Sequence, residues 1–287
     1  MKGKAKLKRK NVKTVKLLQY SLLIIVGVIM IFPIFWMIIN SLKTLNGISE
    51  FPPKFFLKDP QWSNYIEVLK NPMTLAYFRN TLILIIGNTA GTLISSSIVA
   101  YPLARMEFKG RNTIFTIILL TMMVPTVTMI IPQFLLFRQF GWLDGFLPMI
   151  IPSFFAYPYN VFLFRQFFKT IPASIDEAAK IDGCSSFEIF LKIIVPISKP
   201  IFITVGILSA IFWWNELFQP MIFIDSEHLK PLALGALDSF KVSGGQNMTA
   251  WNLQMAFSVL MSIPPMILYI VASQFITTGI KTTGAKN

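Results

Sequence analysis

IPASIDEAAKIDGCSSFEIFLKIIVPISKP, residues Ile171–Pro200, reads as helix, stop, helix. It is the longest charged segment between two apolar runs. Ser174 and Glu177 have the spacing of a capping box, in which hydroxyl and carboxylate satisfy free N–H groups at a helix start. Asp176 and Glu177 stand in the first turn, where acids suit the helix dipole. Ala178, Ala179 and Lys180 are good helix formers. Gly183 ends the helix in the left-handed conformation, which costs other residues about 1–2 kcal/mol. Ser185 and Glu188 repeat the capping spacing, so a second helix starts at once. Pro196 and Pro200 end it or lead into the next apolar run. The spacing therefore predicts a rigid knuckle of two short capped helices.

The rest of the chain says what that knuckle interrupts. Of 287 residues, 54% are hydrophobic and only 14% charged. Soluble domains carry about 25% charged residues, so composition places the chain in a membrane. Eight Lys/Arg and no acid fall in residues 1–16. Such a run suits nucleic acid in a soluble protein. Directly before an apolar segment it reads as a topology signal that also sits on anionic lipid. The uncharged run Leu17–Leu42 is too long for the apolar region of a cleaved signal peptide, and no small-x-small site follows.

A bilayer core of about 30 Å takes about 20 apolar residues in a helix. Six stretches qualify, at about Leu17–Ile39, Asn80–Leu103, Asn112–Ile131, Phe146–Phe164, Ile201–Ile224 and Trp251–Thr277. A short interfacial helix is expected around Ser63–Leu69. Pro125 and Pro132 should kink or end the third span, and Pro152 and Pro158 break the fourth. Gly87, Gly91 and Ser95 form a small-residue stripe that admits a close neighbour. Asn88, Ser96 and Ser97 add polar groups, for packing or for a path. Pro132–Gly145, with Arg138 and Asp144, reads as an outer, partly re-entrant connection. With the N-terminus inside, the inner segments hold 18 Lys/Arg and the outer ones 8. That is the positive-inside pattern. It puts both termini and the knuckle in the cytoplasm. The expected class is an all-α membrane protein: a basic cytoplasmic tail at 1–16, a six-span transmembrane domain at 17–280 with a cytoplasmic loop at 165–199, and a tail at 281–287.

Several strings carry a resemblance. Glu177-Ala178-Ala179, three residues, Gly183, nine residues, Ile193, one residue, Val195-Pro196 resembles the EAA loop of ABC importer permeases, with Val195 where Leu is usual. AYPLARMEFKGR (Ala100–Arg111), IFWWNELFQPMIF (Ile211–Phe223) and KPLALGALDSF (Lys230–Phe240) resemble the carbohydrate-uptake type, as in the second permease of maltose- and oligosaccharide-type importers. Leu217 stands where an aromatic is frequent. The resemblance implies a coupling helix that docks into a groove of a cytoplasmic ATPase, through Asp176, Glu177, Ala178, Ala179, Asp182, Gly183 and Pro196. It also implies the partners: a homologous second permease, two ATPase subunits, an external sugar-binding protein and membrane lipid. Localisation would be the bacterial cytoplasmic membrane, multi-pass.

No chemistry of its own is legible in the chain. It has no G-x-x-x-x-G-K-[ST] phosphate loop, so ATP and magnesium would belong to the partner ATPase and this chain carries no cofactor. One cysteine, Cys184, and one histidine, His228, build neither a nucleophilic set nor a metal cluster. Nucleic acid is not an expected partner. Glu216 is the one acid within a predicted span, roughly 24 Å along it from Pro200 at 1.5 Å per residue. Charges in membranes face a cavity or partner. Glu216 and Asn215 would bond sugar hydroxyls while Trp213 or Trp214 offers an apolar face; alternatively these are an interfacial belt. Tyr157, Tyr159 and Asn160 are further path candidates. An ion-coupled secondary transporter is a rival, but such proteins place several ionisable groups at mid-membrane. A passive scaffold and an ABC permease for a non-sugar solute are the others.

Overall fold

The computed structural model describes residues 2–238, 240 and 249–284. Their order is α1 (Lys2–Ser41), α2 (Leu45–Ile48), α3 (Ser63–Lys70), α4 (Pro72–Arg105), α5 (Arg111–Thr121), α6 (Ile130–Gln139), α7 (Leu147–Ile150), α8 (Pro158–Phe168), α9 (Ala173–Ile181), α10 (Ser186–Ile189), α11 (Val195–Ile197), α12 (Lys199–Asn215), α13 (Phe218–Phe223), α14 (Leu232–Asp238) and α15 (Trp251–Gly284). The fold is all-helical. Among the described residues four stretches are long and apolar enough to cross a membrane: Leu18–Ser41, Pro72–Arg105, Leu147–Phe168 and Trp251–Val271. Two bent pairs bring the number to six if each is one span. The basic tail at 1–16 continues α1 from Lys2, and α15 runs on to Gly284, past the expected boundary. Residues 285–287, in the expected tail, and 239 and 241–248, in the outer loop expected at Asp225–Thr249, lie outside the described residues.

The chain divides into two compact units. The smaller holds residues 1–70 and 239–262. Asn64 ties it together. Its amide Nδ2 donates to Ser41 O at 2.8 Å and Lys43 O at 2.9 Å, capping the end of α1. Its Oδ1 accepts from Asn252 Nδ2 at 3.2 Å, at the start of α15. Hydroxyls of Ser41 and Tyr65 lie 2.6 Å apart. The short helix expected near Ser63–Leu69 forms as α3.

The larger unit, residues 71–238 and 263–287, is built on α4. Asn71 caps this helix, its Oδ1 accepting from Met73 N at 2.9 Å, and Pro72 occupies the first turn, where a missing N–H costs nothing. One apolar cluster gathers at the Leu103 end of α4, with Tyr101, Phe115, Phe164, Phe168, Ile189 and Phe190. Another gathers around Leu84, with Phe137, Met149, Trp213 and Phe223. At 1.5 Å per residue Leu84 and Leu103 are about 28 Å apart along α4.

The stripe on α4 receives a broken helix. A Cβ built on Gly87 would meet Ile150 at 2.9 Å; one on Gly91 would meet Ser153 Oγ at 2.5 Å and Phe154 at 2.7 Å. The fourth expected span runs α7, a 3₁₀ stretch Ile151–Phe155, then α8, with Ala156 at φ 58° between them. Unwound backbone at membrane depth needs a partner. Ser95 supplies it: its hydroxyl donates to Ser153 O at 2.9 Å and accepts from Ala156 N at 3.1 Å. Asn88, Ser96 and Ser97 are buried. Asn88 and Ser97 bond back to carbonyls of α4 at 2.8 and 2.6 Å, so packing accounts for those two.

The third expected span is bent where Pro125 predicts a kink or an end, and the fifth differs from expectation. α5 stops at Thr121, and the chain turns by 85° into Thr126–Gln139. Pro125 marks the break: it is extended (φ −62°, ψ 128°), caps the 3₁₀ stretch Thr126–Met129, and disfavours the helical region for Val124 before it. Pro132 sits in the first turn of α6, where its lack of an N–H does no harm. The fifth span starts at Lys199 and stops at Asn215, not Ile224. Glu216 is therefore outside the helix, and its Oε1 accepts from Gln219 N at 2.9 Å in the first turn of α13.

Asp144, at φ 54°, joins two connections of this unit. Its carboxylate accepts from Ser226 Oγ at 2.6 Å, Ser226 N at 2.8 Å and Asp225 N at 3.1 Å. The Ser226 hydroxyl, then the Ser226 and Asp225 amides, hold its pKa below the ordinary carboxylate value.

Two predictions follow from these contacts. Gly91→Ala should destabilise the solubilised chain by about 1–3 kcal/mol through overpacking. Gly206→Ala, where a Cβ meets nothing closer than 3.7 Å, should be near neutral in the same thermal unfolding assay. A carboxylate whose folded pKa is depressed stabilises above its unfolded pKa and loses that contribution as pH falls through the folded value. The exchange protection of the Asp225 and Ser226 amides should therefore persist at neutral pH. It should disappear on acidification below the ordinary carboxylate range, and at all pH values in Asp144→Ala.

Candidate functional site

The knuckle forms, with one change at its start. α9 begins at Ala173, with Pro172 as its N-cap and no side-chain cap. The capping box expected from Ser174 and Glu177 is absent, because the helix starts one residue before Ser174 and places it inside the first turn. Burial of Asp176 and Ala179 on one face sets that phase. Pro172, at φ −56°, enters the helix without strain.

α9 ends as the glycine predicts. Gly183 has φ 81°. Its N–H donates to Lys180 O at 3.0 Å, and Cys184 N–H donates to Ala179 O at 3.0 Å. This pair of bonds is the Schellman motif, which closes the last carbonyls of a helix. The second box is complete. Ser185 Oγ accepts from Glu188 N at 3.3 Å, and Glu188 Oε2 accepts from Ser185 N at 3.0 Å. Lys192 adds an ion pair to Glu188 at 2.9 Å. A π-helical turn, Phe190–Ile194, leads into α11, which contains Pro196 at its start. After Ser198 the chain turns by 77° into α12.

The seven residues expected at this surface divide in two. Glu177, Ala178, Asp182, Gly183 and Pro196 are exposed. Ala179 is buried in the core cluster. Asp176 is also buried, and its carboxylate pairs with Arg105 at the end of α4. The acid expected to face a partner thus faces inward. Sequence reasoning missed Arg105. The available signal was a lone cation closing a long uncharged run, opposite an acid that shares a helix face with Ala179. Also missed were Ile181, 86% exposed, and Phe187, 62% exposed, beside that acidic edge.

The second group of candidates is scattered among structural duties. Trp213 is in the core, and Trp214 is buried with its ring edge-on to Phe78 at 6.0 Å. Asn215 Nδ2 donates to Ile211 O at 2.8 Å. Glu216 fixes the bend before α13, as described. Tyr157, the N-cap of α8, and Tyr159, in its first turn, are exposed, and Asn160 is half-buried.

Residues 93–282 match a family described as the binding-protein-dependent transport system inner membrane component. The chain belongs to that family. This inner membrane component is 32% identical to the arabinooligosaccharides transport system permease protein AraQ of Bacillus subtilis (strain 168), over 89% of this chain and 90% of that protein. It is 30% identical to the lactose transport system permease protein LacG of Rhizobium radiobacter, over 76% and 79%. A crystal structure of a bacterial ABC transporter involved in the import of the acidic polysaccharide alginate contains a chain that superposes with a TM-score of 0.81. The two are 26% identical, over 91% of this chain and 96% of that one. The component is a membrane permease subunit, and the matched residues include the whole knuckle.

Gly183→Val should cost the solubilised chain about 1–2 kcal/mol from left-handed strain alone, since nothing lies within 4 Å of the added Cβ. Limited proteolysis should cut between α9 and α10 in the variant and spare the parent.

Proposed function

We propose that this chain is a permease subunit of an ATP-driven ABC importer for a sugar or oligosaccharide. It spans the bacterial cytoplasmic membrane six times, with both termini and the knuckle inside. The partners are a homologous second permease, two ATPase subunits that carry ATP and magnesium, and an external binding protein that delivers the substrate. The sugar class is supported by the relatives, whose names give arabinooligosaccharides and lactose, and by the transporter that imports alginate.

The observation that carries the coupling reading is the exposed face of the knuckle. Ile181 and Phe187 stand out beside Glu177 and Asp182 on two helices locked together by a Schellman turn and a capping box. Exposed apolar side chains rimmed by acids suit a groove with an apolar floor and basic edges. The stiffness of the pair lets movement of that groove reach the membrane helices.

Gentle solubilisation of the native complex should recover this chain with a P-loop ATPase and one homologous permease. Ile181→Asp should reduce ATPase recovery by about tenfold or more, since an apolar side chain of this size contributes about 1.5–3 kcal/mol when buried, and should retain the second permease. A chain that purifies alone, from membranes that contain such an ATPase, overturns the reading.

A further inference from the structure

Arg105 sits at the meeting of three elements. It is in the last turn of α4. Its Nη1 donates to Ile171 O at 2.6 Å and Phe168 O at 3.2 Å, its Nη2 donates to Pro172 O at 2.9 Å, and Nη2 also pairs with Asp176 Oδ2. Those carbonyls are the end of α8 and the turn into α9, and the carboxylate lies in the first turn of α9. One planar fork therefore gathers the end of one membrane helix, the loop that leaves it and the helix that follows. Lys offers a point charge on a flexible stem and does not reproduce that geometry. Both side chains are buried, at 7% and 13% exposure. Around them Tyr101 stacks at a tilt on Phe190, the first residue of the π-helical turn, at 5.1 Å between centroids. The other cations nearby are committed elsewhere. Arg165 donates to Leu103 O at 3.0 Å and lies over the Phe115 ring, and Arg111 donates to Met106 O at 2.8 Å.

We propose that Arg105 and Asp176 are the positioning pair of coupling: they fasten α9 to the ends of α4 and α8, so that the exposed helix moves with those two spans as one body. This rests on the coupling role proposed for the knuckle. The pair is poorly explained as a device for stability alone. Nε of Arg105 and Oδ1 of Asp176 are buried without a partner, so the ion pair is single-pronged. Buried ion pairs of this kind are commonly replaced by apolar residues of similar volume without loss of folding. What such a replacement removes is the directional bond between α9 and α4.

The test uses the whole importer complex in lipid, with Cys184→Ser to leave no native thiol in this chain and the partner subunits in cysteine-free form. Spin labels are placed through Ile98→Cys on α4 and Lys180→Cys on α9, both at exposed positions. In the parent, the label-to-label distance should stay the same in the nucleotide-free and vanadate-trapped states. In Arg105→Met/Asp176→Leu, the distribution should broaden without nucleotide and shift on trapping. ATPase subunits should still co-purify, and solute uptake per ATP hydrolysed should fall about tenfold, within the range that changes along a coupling path produce. Arg105→Lys should not restore the parent distribution. A parent distance that changes on trapping overturns the proposal, as does a double variant as narrow and as well coupled as the parent. Loss of ATPase co-purification from the parent itself would instead sink the coupling reading, while the nucleotide-free distributions still decide whether the pair fastens α9.

Discussion

A chain in lipid must satisfy its own backbone, and this one breaks its apolar helices repeatedly. That is possible because α4 is unbroken and lies beside the breaks. Its glycines let Ile150, Ser153 and Phe154 approach, and Ser95 completes the hydrogen bonds that the turn at Ala156 leaves open. Further toward its start, Asn80 Nδ2 donates to His228 O at 2.8 Å and Lys230 O at 3.0 Å, and the Thr81 hydroxyl accepts from Leu232 N at 2.8 Å. At its end Arg105 does the same for the turn after α8. One continuous helix thus supplies polar side chains to irregular segments along its length.

The same division of labour separates what was legible in the sequence from what was not. Apolar run length located the long helices, because a bilayer imposes a minimum length on each. Gly183 and the Ser185/Glu188 spacing located the knuckle, because left-handed turns and capping boxes are local chemistry. The start of α9 was not local. Burial of Asp176 against Arg105, 71 positions earlier in the chain, outweighed the Ser174 spacing. Pro125 was visible as a break, but the 85° angle was not, since proline removes a bond without saying where the chain goes next. Glu216 looked like a charge inside a span only because the end of α12 at Asn215 carries no glycine or proline signal of its own.

The path candidates failed to gather for a related reason. Trp, Asn and Glu at a membrane boundary serve equally for packing, for capping and for contact with a hydroxylated solute. In this chain Trp213 and Trp214 are core, and Asn215 and Glu216 bond to backbone. The exposed rings of Tyr157 and Tyr159 follow the break at Ala156, where the chain is held by a neighbour's hydroxyl instead of by its own helix.

The π-helical turn at Phe190–Ile194 has a consequence for how this region tolerates change. A wider turn shifts the angular phase of everything after it relative to an ordinary α-helix, where each residue advances about 100°. Ile189, Phe190 and Ile194 are all buried across that shift. Ser185 and Ser198 are thus separated by a count of residues that belongs to the wide turn. Exposed positions between them tolerate exchange, whereas a gain or loss of a single residue rotates the knuckle relative to α12 and points Ile181 and Phe187 in a new direction.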